Sequence, residues 1–281
     1  MCSPASITHS HIGSVAHGVA QDGDPSNTIY GFRTWTNGPI AVSYLAGLLE
    51  VPLAVDYAYG HASGGSKFGA TIDNSYTKSD ANAPSSKDQI ANYTSSTEFA
   101  HVSDALHFLW IGANDINLYH LWTDNPSYPS FAKDFSALLT GQVKSLLDAG
   151  APFIFVPNLY AKHLSRSSEF YADTPEKVAN LGSIIQEANA AIASSLAQFG
   201  DRVIVYDVFS RMVEIWNNHD NYGINYIDKH MCDGGGDADW DICVTQGRGG
   251  EFYWMQFLDM TSHVHQLIAE DMANVIKAKF N

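Results

Sequence analysis

Ala105-Leu-His-Phe-Leu-Trp-Ile-Gly-Ala-Asn-Asp-Ile-Asn117 is a nearly continuous apolar run that ends at Gly112 and turns polar at Asn114 and Asp115. An apolar run without alternation is typical of a parallel strand that helices cover on both faces. Open α/β sheets bind ligands at the carboxyl ends of such strands. The stretch therefore predicts a buried central strand that delivers polar groups to the carboxyl edge of a sheet. The alternative is a core strand followed by an ordinary Asn-Asp turn.

The composition predicts one large globular domain, residues 1–281, with 45% apolar residues and a formal charge of −15. Nucleic acids and anionic membranes both need a cationic face, so the charge argues against either as a partner. No run reaches the roughly 18 to 20 apolar residues that span a bilayer, which argues against membrane insertion. The first residues lack the pattern of a signal peptide. The expected location is cytoplasmic if Met1 is the native start, and secreted if a leader was removed.

Strand and helix patterns alternate along the chain. Strands are predicted at residues 5–12, 53–59, 105–111, 152–156 and 203–207, and helices at 36–50, 131–150, 174–200 and 261–279. Residues 67–98 are polar and predict a long lid or binding loop. The alternation predicts an α/β fold: a three-layer sandwich with a doubly wound parallel sheet of about five strands, in the order 2-1-3-4-5.

Cysteine and histidine give weaker signals. Cys232 and Cys243 are eleven residues apart, and both a disulfide and a pair of free thiols are compatible with this spacing. His9, His11 and His17 cluster near the first strand, but no Asp, Glu or Cys completes a convincing metal site nearby. The sequence therefore predicts no metal and no cofactor.

Several short motifs, taken in order, resemble those of the SGNH/GDSL hydrolases, in the fungal acetylesterase-like branch grouped with carbohydrate esterases and thermolabile-haemolysin-type lipases. They are Thr36-Asn-Gly-Pro39, Asp56-Tyr-Ala-Tyr-Gly60, Gly112-Ala-Asn-Asp115, Asn221-Tyr-Gly-Ile224, the Cys232 and Cys243 pair, and Val264-His-Gln-Leu-Ile-Ala269. The resemblance implies a flavodoxin-like SGNH-hydrolase fold. It also implies that Gly60 and Asn114 donate hydrogen bonds to an oxyanion.

The catalytic triad of that family is missing from this alignment. An ungapped match of residues 261–265 to the family's last motif puts Gln256 in the position of the aspartate and Asp259 in that of the histidine. A one-residue insertion would instead pair Asp259 with His263. The family's Gly-Asp-Ser motif is also absent, and either Ser10 or Gly13 takes the nucleophile's place.

A carboxylate is a weaker base than imidazole at neutral pH, so ordinary esterase turnover is not expected. The leading hypothesis is an enzyme repurposed from a hydrolase, in which Asp259 acts as a general acid or base and Gly60 and Asn114 remain as donors. Its reaction would be a cyclisation or isomerisation of a small, mostly apolar metabolite. Fungal biosynthetic pathways recruit cyclases and isomerases of this kind from old hydrolase folds. The alternatives are an ester hydrolase that uses Ser10, and a non-catalytic binding protein.

The partner predicted for the site is a small-molecule substrate. Its further contacts are predicted to come from residues near the motifs: His11, His61, Asp115, Trp254, Gln256 and His263. The aromatic residues beside Trp254 predict either a pocket wall or part of the core. The identity of the substrate and the oligomeric state do not follow from the sequence.

Overall fold

A computed structural model describes the backbone of residues 6–10 and 55–56, together with residues 36–51, 70–77, 84–116, 128–165, 174–231, 249–256 and 259–280. Statements below concern these residues. Five predictions fall outside them: the positions of Gly13, Gly60, His11 and His61, and the pairing of the two cysteines at 232 and 243.

The main sheet contains five strands, and every pair of neighbours in it is parallel. The strands are β1 (Ser6–Ser10), β2 (Val55–Asp56), β3 (Ala105–Leu109), β4 (Phe153–Pro157) and β5 (Val203–Tyr206), in the order β2-β1-β3-β4-β5. All five residues of β3 are buried, as the apolar run predicts. The predicted α/β class is confirmed.

Seven α-helices of the described residues have defined bounds, and a further helix begins at Ala113 and is described as far as Ile116. The seven are α1 (Ala41–Leu48), α2 (Asn74–Thr77), α3 (Ser86–Thr94), α4 (Tyr128–Asp148), α5 (Pro175–Leu196), α6 (Val208–Asn217) and α7 (Ser262–Phe280). Helix α4 packs against α5, and α1 packs against α7. No helix in the described part of the chain is both long and apolar enough to span a membrane.

Helices contact both faces of the sheet. Successive side chains of a strand point to opposite faces. On one face, the rings of Phe155 and Tyr206 stack at 5.7 Å, and the Tyr206 hydroxyl donates to Asp271 of α7 at 2.9 Å. On the other face, His107 of β3 shares a hydrogen bond of 3.0 Å with the hydroxyl of Tyr93 in α3.

A second, smaller sheet corrects the prediction that residues 203–207 form the last strand. It consists of β6 (Tyr226–His230), β7 (Phe252–Gln256) and β8 (Asp259–Met260), with β6 and β7 parallel and β8 antiparallel to β7. Strand β6 is partly exposed and β8 has two residues. Neither therefore carries the apolar periodicity from which strands are predicted.

The predicted long loop at 67–98 is also corrected, because the described part of it contains α2 and α3. Ser85 caps α3 by accepting a hydrogen bond from the Asp88 amide, and the Asp88 side chain accepts one from Ser85. This capping box is a readable signal for a helix start. The helix has few apolar residues, so it lacks the hydrophobic periodicity of an amphipathic helix.

Candidate active site at the carboxyl ends of β3 and β4

The chain turns sharply after β3 at Gly112, whose φ is +123°. A Cβ atom at this position would lie 2.2 Å from Leu159 and 2.7 Å from Phe135. Glycine is required here both for its backbone conformation and for the close approach of its neighbours. The tight turn brings Ala113, Asn114 and Asp115 to the carboxyl edge of the sheet.

The two polar residues of this turn hold another segment of the chain. The half-buried Asn114 donates from Nδ2 to the Ala70 carbonyl at 3.0 Å. The carboxylate of Asp115 accepts a hydrogen bond from the Ile72 amide, at 2.9 Å to one oxygen and 3.2 Å to the other. An amide nitrogen carries two hydrogens, so Asn114 retains a second donor for a ligand.

Asp115 is completely buried, which corrects its prediction as a substrate contact. Burial raises the pKa of its carboxyl to about 7, and the hydrogen bond from the Ile72 amide opposes this rise. The side chain therefore anchors residues 70–72 beneath the site. The sequence placed it correctly at the sheet edge but could not show which way it points.

Lys162 is the site residue that the sequence analysis missed. Its side chain is fully buried beyond the end of β4, and Nζ donates to the carbonyl of Ala113 at 3.3 Å. Burial holds the pKa of the amine well below its usual range, and the negative charge of Asp259 opposes this decrease. Lys162 thus contacts the turn that carries Asn114 and interacts electrostatically with Asp259.

Two asparagines order the segment that carries Lys162. The Asn158 amide donates to the Tyr206 carbonyl at 2.9 Å, which extends the pairing of β4 with β5. Asn189 of α5 accepts from the Leu159 amide and donates to the Leu159 carbonyl, both at 2.8 Å. This pairing satisfies the buried backbone where the strand has ended. The lysine is therefore presented by an ordered segment.

A hydrogen-bonded clamp fixes the chain just beyond Asp259. Thr36 donates from Oγ1 to the Met260 carbonyl at 2.7 Å. The Ser262 amide donates to Oδ1 of Asn37 at 2.8 Å, and Oγ of Ser262 donates to the Pro39 carbonyl at 2.7 Å. The motif at residues 36–39 thus holds the residues that follow Asp259.

Asp259 itself is half-buried and begins β8, three residues before α7 starts. Its backbone lies opposite Gln256 in the β7–β8 pairing. Gln256 is thus close to Asp259 along the backbone, as the predicted site requires.

Trp254 is corrected from a predicted substrate contact to a core residue. Its side chain is fully buried, and its ring packs against Tyr253 and Trp216 at centroid distances of 5.0 and 6.4 Å. His263 lies in the first turn of α7, as predicted, and its Nε2 donates to the Tyr222 carbonyl at 2.8 Å. Nε2 of His263 is therefore already engaged in a hydrogen bond with the backbone.

The backbone places Ser10 at the last position of β1, opposite Leu109 of β3. Ser10 thus lies at the same sheet edge as the Ala113 turn. Within the described residues, no group of three or more His, Cys, Asp and Glu side chains is arranged to hold a metal ion.

The structure therefore brings the turn that carries Asn114 into contact with one buried lysine, whose pKa is lowered by burial, an effect that the charge of Asp259 opposes. No family model and no curated protein matches this chain.

Proposed function

We propose that this protein is an acid/base enzyme with an SGNH-hydrolase-like fold that isomerises or cyclises a small, mostly apolar metabolite. Asp259 is the group that exchanges the proton. The observation that carries the proposal is the buried Lys162, whose Nζ donates to the turn that carries Asn114 and whose pKa is lowered by burial, an effect that the charge of Asp259 opposes. Titratable groups with strongly perturbed environments cluster at functional sites. The strand order and the sequence motifs support the SGNH-like identity of the fold.

Asp259 suits proton transfer because it is half-buried, so that part of its surface can meet a ligand. In an isomerisation it takes a proton from one atom of the substrate and returns a proton to another, so that the mass is unchanged. The second N–H of Asn114, and Gly60 by resemblance, stabilise a substrate oxygen that gains negative charge. No acyl-enzyme forms in this scheme.

The conservation of mass gives a direct test. The protein is incubated with a small-molecule extract of its source, and chromatography with mass spectrometry is used to find pairs of compounds of equal mass that interconvert. Asp259→Asn should slow the interconversion by roughly 10²- to 10⁴-fold, and Asn114→Ala should also slow it. Ser10→Ala is the matched control and should leave the rate nearly unchanged. Loss of activity in Ser10→Ala with no effect of Asp259→Asn would refute the proposal.

An ester hydrolase is the second candidate, and the position of Ser10 at the end of β1 favours it. Such an enzyme would add one water to its substrate, would cleave p-nitrophenyl acetate and would be labelled by a fluorophosphonate at Ser10. Both tests need an activated serine, so a negative result in both would exclude this candidate. A non-catalytic binding protein would give neither products of equal mass nor hydrolysis.

A further inference from the structure

We propose that Gln142 of α4 is a positioning residue for the Asn114 donor, on which it acts through the buried segment 70–72. The inference rests on the proposed function, in which the second N–H of Asn114 stabilises a substrate oxygen. It goes beyond that function because neither the sequence motifs nor the family resemblance includes Gln142.

The segment 70–72 is buried and contacts the turn after β3 as well as α3 and α4. The exposed fractions of Ala70, Thr71 and Ile72 are 3%, 0% and 0%. On the side of the turn, Asn114 donates to the Ala70 carbonyl and Asp115 accepts from the Ile72 amide. Two adjacent residues of the turn thus bind two adjacent peptide groups of the segment. The orientation of the Asn114 side chain therefore depends on where this segment lies.

Gln142 binds the same segment from α4. Its Nε2 donates to the Ile72 carbonyl at 2.8 Å, and its Oε1 accepts from Oγ of Ser86 at 2.7 Å. A carbonyl only accepts hydrogen bonds, so Nε2 is the end of the amide that must face Ile72. The other two donors to this carbonyl are farther away, with Oγ of Ser86 at 3.2 Å and the Lys87 amide at 3.4 Å. Gln142 thus makes the shortest hydrogen bond to the Ile72 carbonyl.

The place of Gln142 in its helix supports a role other than packing. Leu139, Val143 and Leu146 share its face of α4 and are buried. Helical spacing therefore predicts an apolar residue at position 142 as well. A buried amide lowers stability unless it is hydrogen-bonded, whereas an apolar side chain would fill the same place without that requirement. The amide of Gln142 meets the requirement by binding the segment that orients Asn114.

The loss of Gln142 should therefore change the environment of Asn114. Without Nε2, the buried Ile72 carbonyl keeps only its two longer hydrogen bonds, and both come from α3. The segment is then free to shift toward α3, which lengthens the bond between Asn114 and the Ala70 carbonyl. A hydrogen-bond donor stabilises a transition state best when it is held in place before the reaction. An Asn114 side chain that rotates more freely presents its second N–H less well.

The exchange of the Asn114 side-chain hydrogens with water tests this by NMR without a substrate. Asparagine is labelled at its side-chain nitrogen, and the Asn114 signals are identified by their loss in Asn114→Ala. The hydrogen that is bonded to the Ala70 carbonyl should be the slower of the two in the wild type. In Gln142→Met, which keeps the length of the side chain, it should exchange about 2- to 10-fold faster, as the loss of one hydrogen bond implies. Ser136→Ala is the matched control, because this buried serine of the same helix donates to the Lys133 carbonyl, and it should leave the exchange unchanged.

Asn158 and Asn189 provide an internal control, since their side-chain amides are hydrogen-bonded elsewhere. A general loss of stability would speed exchange at these two residues as well, whereas a loss of positioning would speed it at Asn114 alone. Unchanged exchange at Asn114 in Gln142→Met, or equal acceleration at all three asparagines, would overturn the inference. If Gln142→Met does not fold, Ser86→Ala decides by the same criteria, with an expected acceleration of about twofold because it removes the donor to Oε1 of Gln142.

The two proposals fail on different results. If Gln142→Met speeds the exchange but Asn114→Ala leaves the interconversion of compounds unchanged, the proposed function is wrong and the positioning of Asn114 stands. If Asn114→Ala slows the interconversion while the exchange is the same in Gln142→Met and the wild type, this inference alone is wrong.

Discussion

His107 should make the stability of this protein fall as the pH falls below 6.5. The side chain is buried in β3, and burial lowers the pKa of its imidazole to about 4, from an ordinary value of 6.5. Between these two values the unfolded chain binds a proton that the folded chain does not, so folding becomes less favourable as the pH falls. The cost is about 2 kcal/mol at pH 5 and about 3 kcal/mol at pH 4.

The substitution His107→Phe removes this titration with little change in ring size. It also removes the hydrogen bond to Tyr93, which should cost about 1 kcal/mol at every pH. The variant should therefore be less stable than the wild type at pH 8 and more stable by about 2 kcal/mol at pH 4. Urea unfolding of both proteins across this pH range gives the difference in their free energies of unfolding. The contributions of the other titrating groups are the same in both proteins and cancel in this difference. A difference that does not change with pH would refute the argument, and Tyr93→Phe serves as a control that should keep the pH dependence.

Two further predictions concern the framework of the site. Gly112→Ala should destabilise the protein by about 3 kcal/mol or more, because the backbone would be strained and the added Cβ would overlap Leu159 and Phe135. Gly141→Ala in α4 should instead stabilise the protein by about 0.5 to 1 kcal/mol, because an added Cβ there meets nothing within 4 Å. Thermal unfolding of both variants measures this, and equal effects would contradict it. Asn37→Ala should lower the free energy of unfolding by about 1 kcal/mol, because it leaves the Ser262 amide without its capping oxygen. Asn92→Ala, on the exposed side of α3, is its control, and similar losses in the two would argue against the cap.

The sequence predicted those features that depend on local pattern. The apolar run at 105–111 identified the central strand, and the glycine at its end identified the turn. The start of α5 could also be predicted, since Thr174 caps it and Pro175 occupies its first turn. In each case one short segment contains the whole physical signal.

Features that depend on distant packing could not be predicted. The segment around Lys162 shows no strand or helix pattern, and its order comes from Asn189, which lies thirty residues beyond its hydrogen-bond partner Leu159. The anchoring role of Asp115 depends on an amide forty-three residues away. A lysine that follows the end of a buried strand within an apolar segment was a weak signal. Burial of its amine was the decisive fact, and that requires the fold.

The clamp at residues 36–39 also bears on the role of Asp259 ahead of α7. An acidic residue ahead of a helix commonly caps the first turn, but the Ser262 amide of α7 already binds the Asn37 side chain. Asp259 lies in β8, opposite Gln256, and its charge acts on Lys162. We propose proton transfer for this half-buried residue because the first amide of the helix is bound by another side chain.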